Sequence, residues 1–312
     1  VPRRVAILVN PTAGRGKAAL TADRVFSSLL TAGVAVDLVR GADADDARER
    51  LDQVLAAGPD TVVVVGGDGL VHLAVQAVAG TPVALAIVPS GTGNDIARAF
   101  GITGDPELAV AAILTGSPVP TDLVRVTSAG TVASRWYLGV ACSGFDSRIN
   151  ARANRMRRPR GPSKYTIALL AEIRDIVPLP LTVTVDGVAE TRPSLLVAVG
   201  NTAYYGGGMA ICVGADPADG LLDVIHVEAM RRDRVLRLFP RLFSGSHLSL
   251  PYVHRRQGRV VTIEIPAEAD GSGSPGGTAP VYAVPPVYAD GEDAAALPVT
   301  LTCEPGALPV YR

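Results

Sequence analysis

Two aspartates stand in glycine-rich turns suited to phosphate chemistry. Asp68 lies within Gly66-Gly67-Asp68-Gly69, and Asp95 closes the run Pro89-Ser90-Gly91-Thr92-Gly93-Asn94-Asp95. Glycine lets backbone N–H groups approach a ligand closely. A helix that follows such a turn aims its positive end at the same place. A carboxylate beside an anion-binding backbone is the pairing that a phosphate and its Mg²⁺ require. The rival reading of each aspartate is a helix cap. Glycines on both sides favour the metal role for Asp68, whereas Asp95 by itself leaves both readings open. A third turn, Asn10-Pro11-Thr12-Ala13-Gly14-Arg15-Gly16-Lys17, follows the first apolar run. It is not a Walker P-loop: Pro11 stands five residues before Gly16, and Ala18 rather than Ser or Thr follows Lys17.

These turns need strands to hold them. Four consecutive valines, Val62–Val65, cannot form a half-exposed strand, which would alternate; they read as a strand buried on both faces. Arg4–Val9, Val34–Val39 and Val83–Val88 are further apolar strands. Helices are expected to about Ala32, over Asp43–Ala57 with its acidic first turn, over Leu70–Val78, and over Pro106–Thr115 behind an Asp105 cap. Strand and helix alternate repeatedly over about a hundred residues, which argues for a parallel, doubly wound sheet. The Asp68 and Asp95 turns should lie side by side at its carboxyl edge, where open α/β sheets bind ligands.

After Gly116 the texture changes. Leu123–Thr127, Val132–Val140, Leu181–Val185, Ser194–Val199, Leu222–Val227, Val260–Ile265 and Val281–Val284 read as strands of a mostly antiparallel β domain. A last strand is expected at Leu297–Thr302. Phe145–Ile176 is helical in pattern and heavily basic, through Arg148, Arg152, Arg155, Arg157, Arg158, Arg160 and Lys164. Such a stretch is either a solvated face or a dock for anionic lipid. A second basic helix spans Arg231–Leu242, and Glu268–Pro280 reads as a mobile, low-complexity loop.

A length of 312 residues allows one large or two medium domains, and 48% hydrophobic residues supply a sizeable core. The net charge of −1 removes any overall electrostatic case for nucleic acid. Cys142, Cys212 and Cys303 give neither a disulfide framework nor a CxxC metal site, and read as core residues in a reducing compartment. No run reaches membrane-spanning length, so the expected location is the cytoplasm.

Taken together, the motifs resemble the soluble lipid kinases: the diacylglycerol kinase catalytic domain shared with sphingosine and ceramide kinases and bacterial homologues. The matching pieces are LVNPTAG at 8–14, GGDG at 66–69, PSGTGNDIAR at 89–98, GNTAYYGGGM at 200–209, DPADGLLDV at 216–224 and DGE at 290–292. They keep the family order and span nearly the whole chain. Two departures stand out: Leu70 follows GGDG where Thr is usual, and Gly41-Ala42 replaces a Thr often found after the second strand.

The resemblance implies an α/β domain over 1–120, related to NAD kinases and phosphofructokinases, that binds the nucleotide. It implies an antiparallel β-sandwich-like domain over 121–297 for the lipid, with 298–312 returning to the first. By matching position, Asn10, Pro11, Thr12, Ala13, Gly14 and Arg15 would cover the ATP phosphates, with Gly66, Gly67, Asp68, Gly69 and Thr92 lining the same site. Asp68 and Asp95 would hold the ATP-linked Mg²⁺. Glu292 would be the general base on the lipid hydroxyl; by its residues alone, an Asp-Gly-Glu turn is solvated surface. Asp219, with groups of Asp216 and Leu221, would hold a structural Mg²⁺, although the residues themselves read equally as turns.

The expected activity is an ATP- and Mg²⁺-dependent lipid kinase, with diacylglycerol going to phosphatidic acid in phospholipid biosynthesis. It would act peripherally at the inner membrane surface, with anionic phospholipid and a second copy of the chain as further partners. The alternatives are an NAD kinase-like enzyme and a non-catalytic lipid- or nucleotide-binding protein.

Overall fold

A computed structural model describes residues 4–128, 135–156, 163–173, 176, 178–266 and 286–312. The chain forms two compact units, Val1–Leu123 with Glu304–Arg312, and Val124–Cys303.

The first unit contains β1 (Arg4–Val9), α1 (Lys17–Thr31), β2 (Ala35–Arg40), α2 (Ala44–Leu55), β3 (Thr61–Gly66), α3 (Asp68–Val78), β4 (Ala84–Pro89), α4 (Asp95–Ala99), α5 (Pro106–Thr115) and the start of β5 (Val119–Ser128). The strands run parallel in the order β2-β1-β3-β4. Val62–Val65 are fully buried because β3 has a strand on each side and helices pack on the sheet. The order reverses direction at β1, since β2 lies on one side of it and β3 on the other. That is the switch point at which α/β sheets open a crevice. Asp43 caps α2 by accepting from Asp46 N–H at 3.0 Å, and Asp105 caps α5 by accepting from Glu107 N–H at 3.0 Å. Helix α3 starts at Asp68 rather than Leu70, because extended Gly67 serves as its N-cap and an acid suits the first turn. The C-terminal residues close this unit: Val310 pairs in parallel with Leu85, and the Arg312 guanidinium lies 4.8 Å from the Phe100 ring centroid.

The second unit contains β6 (Arg135–Tyr137), β7 (Val140–Gly144), α6 (Phe145–Arg155), α7 (Ser163–Glu172), β8 (Leu179–Val185), β9 (Val188–Gly200), β10 (Tyr204–Tyr205), β11 (Met209–Ala210), β12 (Leu222–Glu228), α8 (Arg232–Ser244), β13 (Val253–Gly258), β14 (Val260–Glu264), β15 (Val287–Ala289), β16 (Glu292–Ala295) and the start of β17 (Val299–Val310). Long β9 belongs to two layers. Its first half pairs with β8, and its second half lies between β7 and β12, all antiparallel. Alternation along β9 divides the apolar residues. Val197 and Val199 join Leu181, Val183, Val261, Ile263 and Leu301 in the core between the layers. Leu196 and Ala198 face outward and pack with Phe145, Ile149, Val235, Leu238 and Leu242 of the helices.

The strand expected over Val132–Val140 is broken. Leu138 and Gly139 donate their N–H groups to the Asp290 carboxylate, at 3.1 and 2.9 Å, so β6 and β7 are separate. The helical stretch Phe145–Ile176 resolves into α6 and α7. Residues 129–134, 157–162, the Glu268–Pro280 loop and the Val281–Val284 strand lie outside the described residues. All three cysteines are buried and free. Among the described residues, no helix is long and apolar enough to cross a membrane.

Candidate active site

In the first unit three turns meet at the carboxyl ends of β1, β3 and β4. Ser90 N–H donates to Gly66 O at 2.7 Å, tying the β3 and β4 turns together. A Cβ on Gly91 would come within 2.6 Å of Gly67 Cα, so the two backbones touch and Gly91 has no room for a side chain. A Cβ on Gly14 would come within 2.6 Å of Ser90 O, and its φ of +58° already favours glycine; the β1 turn therefore packs on the β4 turn. Asn10 Oδ1 accepts from Thr12 N–H and Oγ1–H at 3.0 and 2.8 Å, which folds this turn locally. Pro11, Ala13 and Gly14 are half-buried, while Thr12 and Thr92 are exposed on neighbouring turns. Leu70 leans back on Gly66, where an added Cβ would meet its Cδ2 at 2.7 Å.

Asp68 does cap a helix, but not its own: its Oδ1 accepts from Ile96 N–H of α4 at 3.1 Å. That bond brings the Asp68 carboxylate to the residue following Asp95. Asp95 is buried, 7% exposed, and Arg98 Nη1 lies 3.7 Å from its Oδ1. Among the described residues no three His, Cys, Asp or Glu side chains group to hold a metal. Asp68 and Asp95 supply carboxylate oxygens of the kind that would hold Mg²⁺ beside a phosphate.

In the second unit Glu292 opens β16 behind a tight hairpin. Asp290 (φ +51°) and Gly291 (φ +87°) are both left-handed, as a two-residue hairpin turn requires. The turn is pinned by the Asp290 carboxylate, by Asp290 N–H donating to Val140 O at 3.1 Å, and by Asn154 Nδ2 donating to Gly291 O at 3.0 Å. Glu292 is exposed on this fixed backbone. Asp216 and Asp219 are turn residues that accept from Ala218 and Leu221 N–H at 3.1 and 2.9 Å.

An apolar pocket lies between α6, α8 and the outer face of β9. Leu196, Met209, Leu238, Phe239 and Phe243 line it. One end is polar. Asp146 Oδ1 accepts from Tyr205 O–H at 3.0 Å, and Oδ2 accepts from Asn150 Nδ2 at 2.7 Å. Burial pushes the Asp146 carboxyl up to about 6 from its ordinary 3.8, against the hydrogen bonds from Tyr205, Cys142 and Asn150. Sequence reading assigned these residues no role. The available signals were the i,i+4 spacing of Asp146 and Asn150 on one helix face and the tyrosines of the 200–209 motif.

A raised carboxyl value has a definite sign. The folded protein takes up the Asp146 proton as pH falls through about 6, before the unfolded chain does near 3.8. This residue therefore adds stability as pH falls from 7.5 to 4. The stability of Asp146→Asn relative to the parent is expected to fall by on the order of 2 kcal/mol between pH 7.5 and pH 4, as read by denaturant unfolding at each pH. A gap independent of pH would mean that Asp146 is not held in the apolar pocket as described.

Residues 4–126 match the family model described as the diacylglycerol kinase catalytic domain, and residues 139–312 match the YegS C-terminal NAD kinase beta sandwich-like domain. The "Diacylglycerol kinase" of Mycobacterium tuberculosis (strain ATCC 25618 / H37Rv) is 40% identical over 311 residues, 99% of this chain and 95% of that protein. A "Probable lipid kinase YegS-like" of Stenotrophomonas maltophilia (strain K279a) is 29% identical over 231 residues, 72% of this chain and 74% of that protein. A crystal structure titled as a diacylglycerol kinase of Bacillus anthracis str. Sterne shares the fold. Its TM-score is 0.69 at 19% identity, covering 99% of this chain and 97% of that one.

Proposed function

This chain belongs to the diacylglycerol kinase family and is a lipid kinase, and from that premise we propose that it transfers the γ-phosphoryl group of ATP to the free hydroxyl of diacylglycerol, giving phosphatidic acid. The observation that carries the acceptor assignment is the apolar pocket of the second unit with one polar end. Each methylene buried there contributes about 0.8 kcal/mol, which favours a long acyl chain over a soluble alcohol. Asp146, Asn150 and Tyr205 offer the glycerol end hydrogen-bonding partners.

On the donor side, the glycine backbones of the Gly14, Gly66–Gly69 and Gly91 turns, with Thr12 and Thr92, hold the phosphates. Asp68 and Asp95 are the side chains that would hold Mg²⁺, which would neutralise charge on the phosphate oxygens. Phosphoryl transfer is chiefly positioning and charge stabilisation, so this equipment suffices on that side. An alcohol is a weak nucleophile, and Glu292 takes its proton as the new P–O bond forms. The enzyme works from the cytoplasmic side, at the surface of the membrane that carries its substrate.

The direct test offers labelled ATP with Mg²⁺ to a set of acceptors: diacylglycerol in mixed micelles, ceramide, a sphingoid base and NAD. Label is expected in phosphatidic acid, with turnover rising with acyl length up to the capacity of the pocket. Label in NAD and in no lipid would overturn the assignment.

A further inference from the structure

We propose that α8 is the element that seats this enzyme on an anionic bilayer. Two features coincide on it. Leu236 and Phe243, seven residues apart on one edge of the helix, are 50% and 49% exposed. Phe239 lies between them in an edge-to-face contact with Phe243, centroids 5.6 Å apart. Arg232 stands within this strip, and Arg237, Arg241 and Arg234 follow round the solvent side of the helix against a single acid, Asp233, on a chain whose net charge is −1. Asp233 is shared by Arg231 at 3.3 Å and Arg237 at 2.9 Å. Arg232, Arg234 and Arg241 are exposed, and among the described residues their side chains make no ion pair with an acid.

An exposed apolar edge on a helix whose solvent side carries several cations and one acid is the pattern of a helix that lies in the headgroup plane and meets negative lipid. The adjoining face of α8 is committed to the protein through buried Val235, Leu238 and Leu242. The same strip is continuous with the apolar pocket, because Phe239 and Phe243 line both. A bilayer against α8 would bring acyl chains to the pocket mouth. The other basic element differs. On α6, Arg148 and Arg152 converge on buried Glu172 at 2.9 and 2.5 Å, so those charges serve the fold. The purpose of docking rests on a membrane lipid being the acceptor; the geometry of α8 does not.

The test uses the full chain and sedimentation with vesicles of phosphatidylcholine alone or phosphatidylcholine with phosphatidylglycerol at 3:1. The parent should partition onto the anionic vesicles and be released by salt. Combining Arg232→Glu, Arg234→Glu and Arg241→Glu should lower partition by at least roughly 100-fold, since the three lost cations alone contribute about five-fold each. Arg→Lys at the same positions should retain binding, and Leu236→Ser should weaken it on vesicles of either composition. The thermal midpoint and turnover of a monomeric short-chain diacylglycerol should be unchanged in each variant. Partition of the Glu variant equal to that of the parent would overturn the inference, as would a loss equally large for the Lys variant. If no lipid is phosphorylated yet the Glu variant still leaves the vesicles, the acceptor assignment fails and the docking role stands. Lipid turnover with partition indifferent to α8 removes the docking role alone.

Discussion

Glu292→Gln is expected to lower turnover by about 10²–10⁴-fold, the range for losing a positioned general base. The change is isosteric and removes only the capacity to accept a proton. The backbone at this position does not depend on the side chain. The Asp290-Gly291 turn is fixed by the Asp290 carboxylate on Leu138 and Gly139 N–H, and by Asn154 on Gly291 O. An exposed carboxylate on a pinned hairpin can be neutralised at little cost in stability, so the thermal midpoint should hold. The KM for ATP should also hold, because Glu292 takes no part in binding the phosphates. Turnover equal to that of the parent would remove Glu292 from the chemistry. A loss of turnover matched by a fall in melting temperature would make it a structural residue instead.

Asp68→Asn is the second large expected effect, at about 10²–10³-fold in kcat/KM, the scale of losing one preorganised electrostatic partner of the transferring group. Asparagine keeps an oxygen for Ile96 N–H, so the tie between the β3 turn and α4 survives. What goes is the negative charge beside Asp95. A raised Mg²⁺ requirement should accompany the loss, and excess Mg²⁺ should recover part of it. Asp68→Ala removes the Ile96 partner too. It leaves the N–H at the start of α4 without that acceptor, so it should lose stability as well as activity. If Asn retained full activity and Ala lost it, Asp68 would be a helix cap and nothing more.

The pocket residues show a different kind of dependence. Asp146, Asn150 and Tyr205 form one hydrogen-bonded group, while the α8 side of the pocket is wholly apolar. Changes at the polar end should act on acceptor recognition. Changes at Leu238 or Leu242 should act on packing, since both are buried in the core under α8 as well.

Much of the first unit was legible in the sequence because its signals are local. A run of valines bounded by turn residues reads as a strand buried on both faces, and Gly-Gly-Asp-Gly at its end marks the open backbone where that strand gives way to α3. Asp43 and Asp105 announce the helices they cap. The second unit was harder to read for physical reasons. Val253–Gly258 is a strand that carries His254, Arg255, Arg256 and Gln257 in succession, polar on both faces, so it shows no apolar alternation and is held by pairing with β12. The break between β6 and β7 depends on Asp290, which is remote in sequence and competes for the N–H groups that a continuous ladder would use.

The sequence by itself therefore determined the element types of the first unit, the turns that carry Asp68 and Asp95, and the family. Only the tertiary structure decided which charges and which faces meet. Asp68 capping α4, Arg148 and Arg152 sharing Glu172, and a pocket assembled from α6, β9 and α8 all join residues far apart along the chain. Hydrophobic period and turn chemistry report on a residue and its near neighbours. The pairing of distant carboxylates, guanidinium groups and apolar walls is fixed by how the layers pack, and short-range pattern carries no record of it.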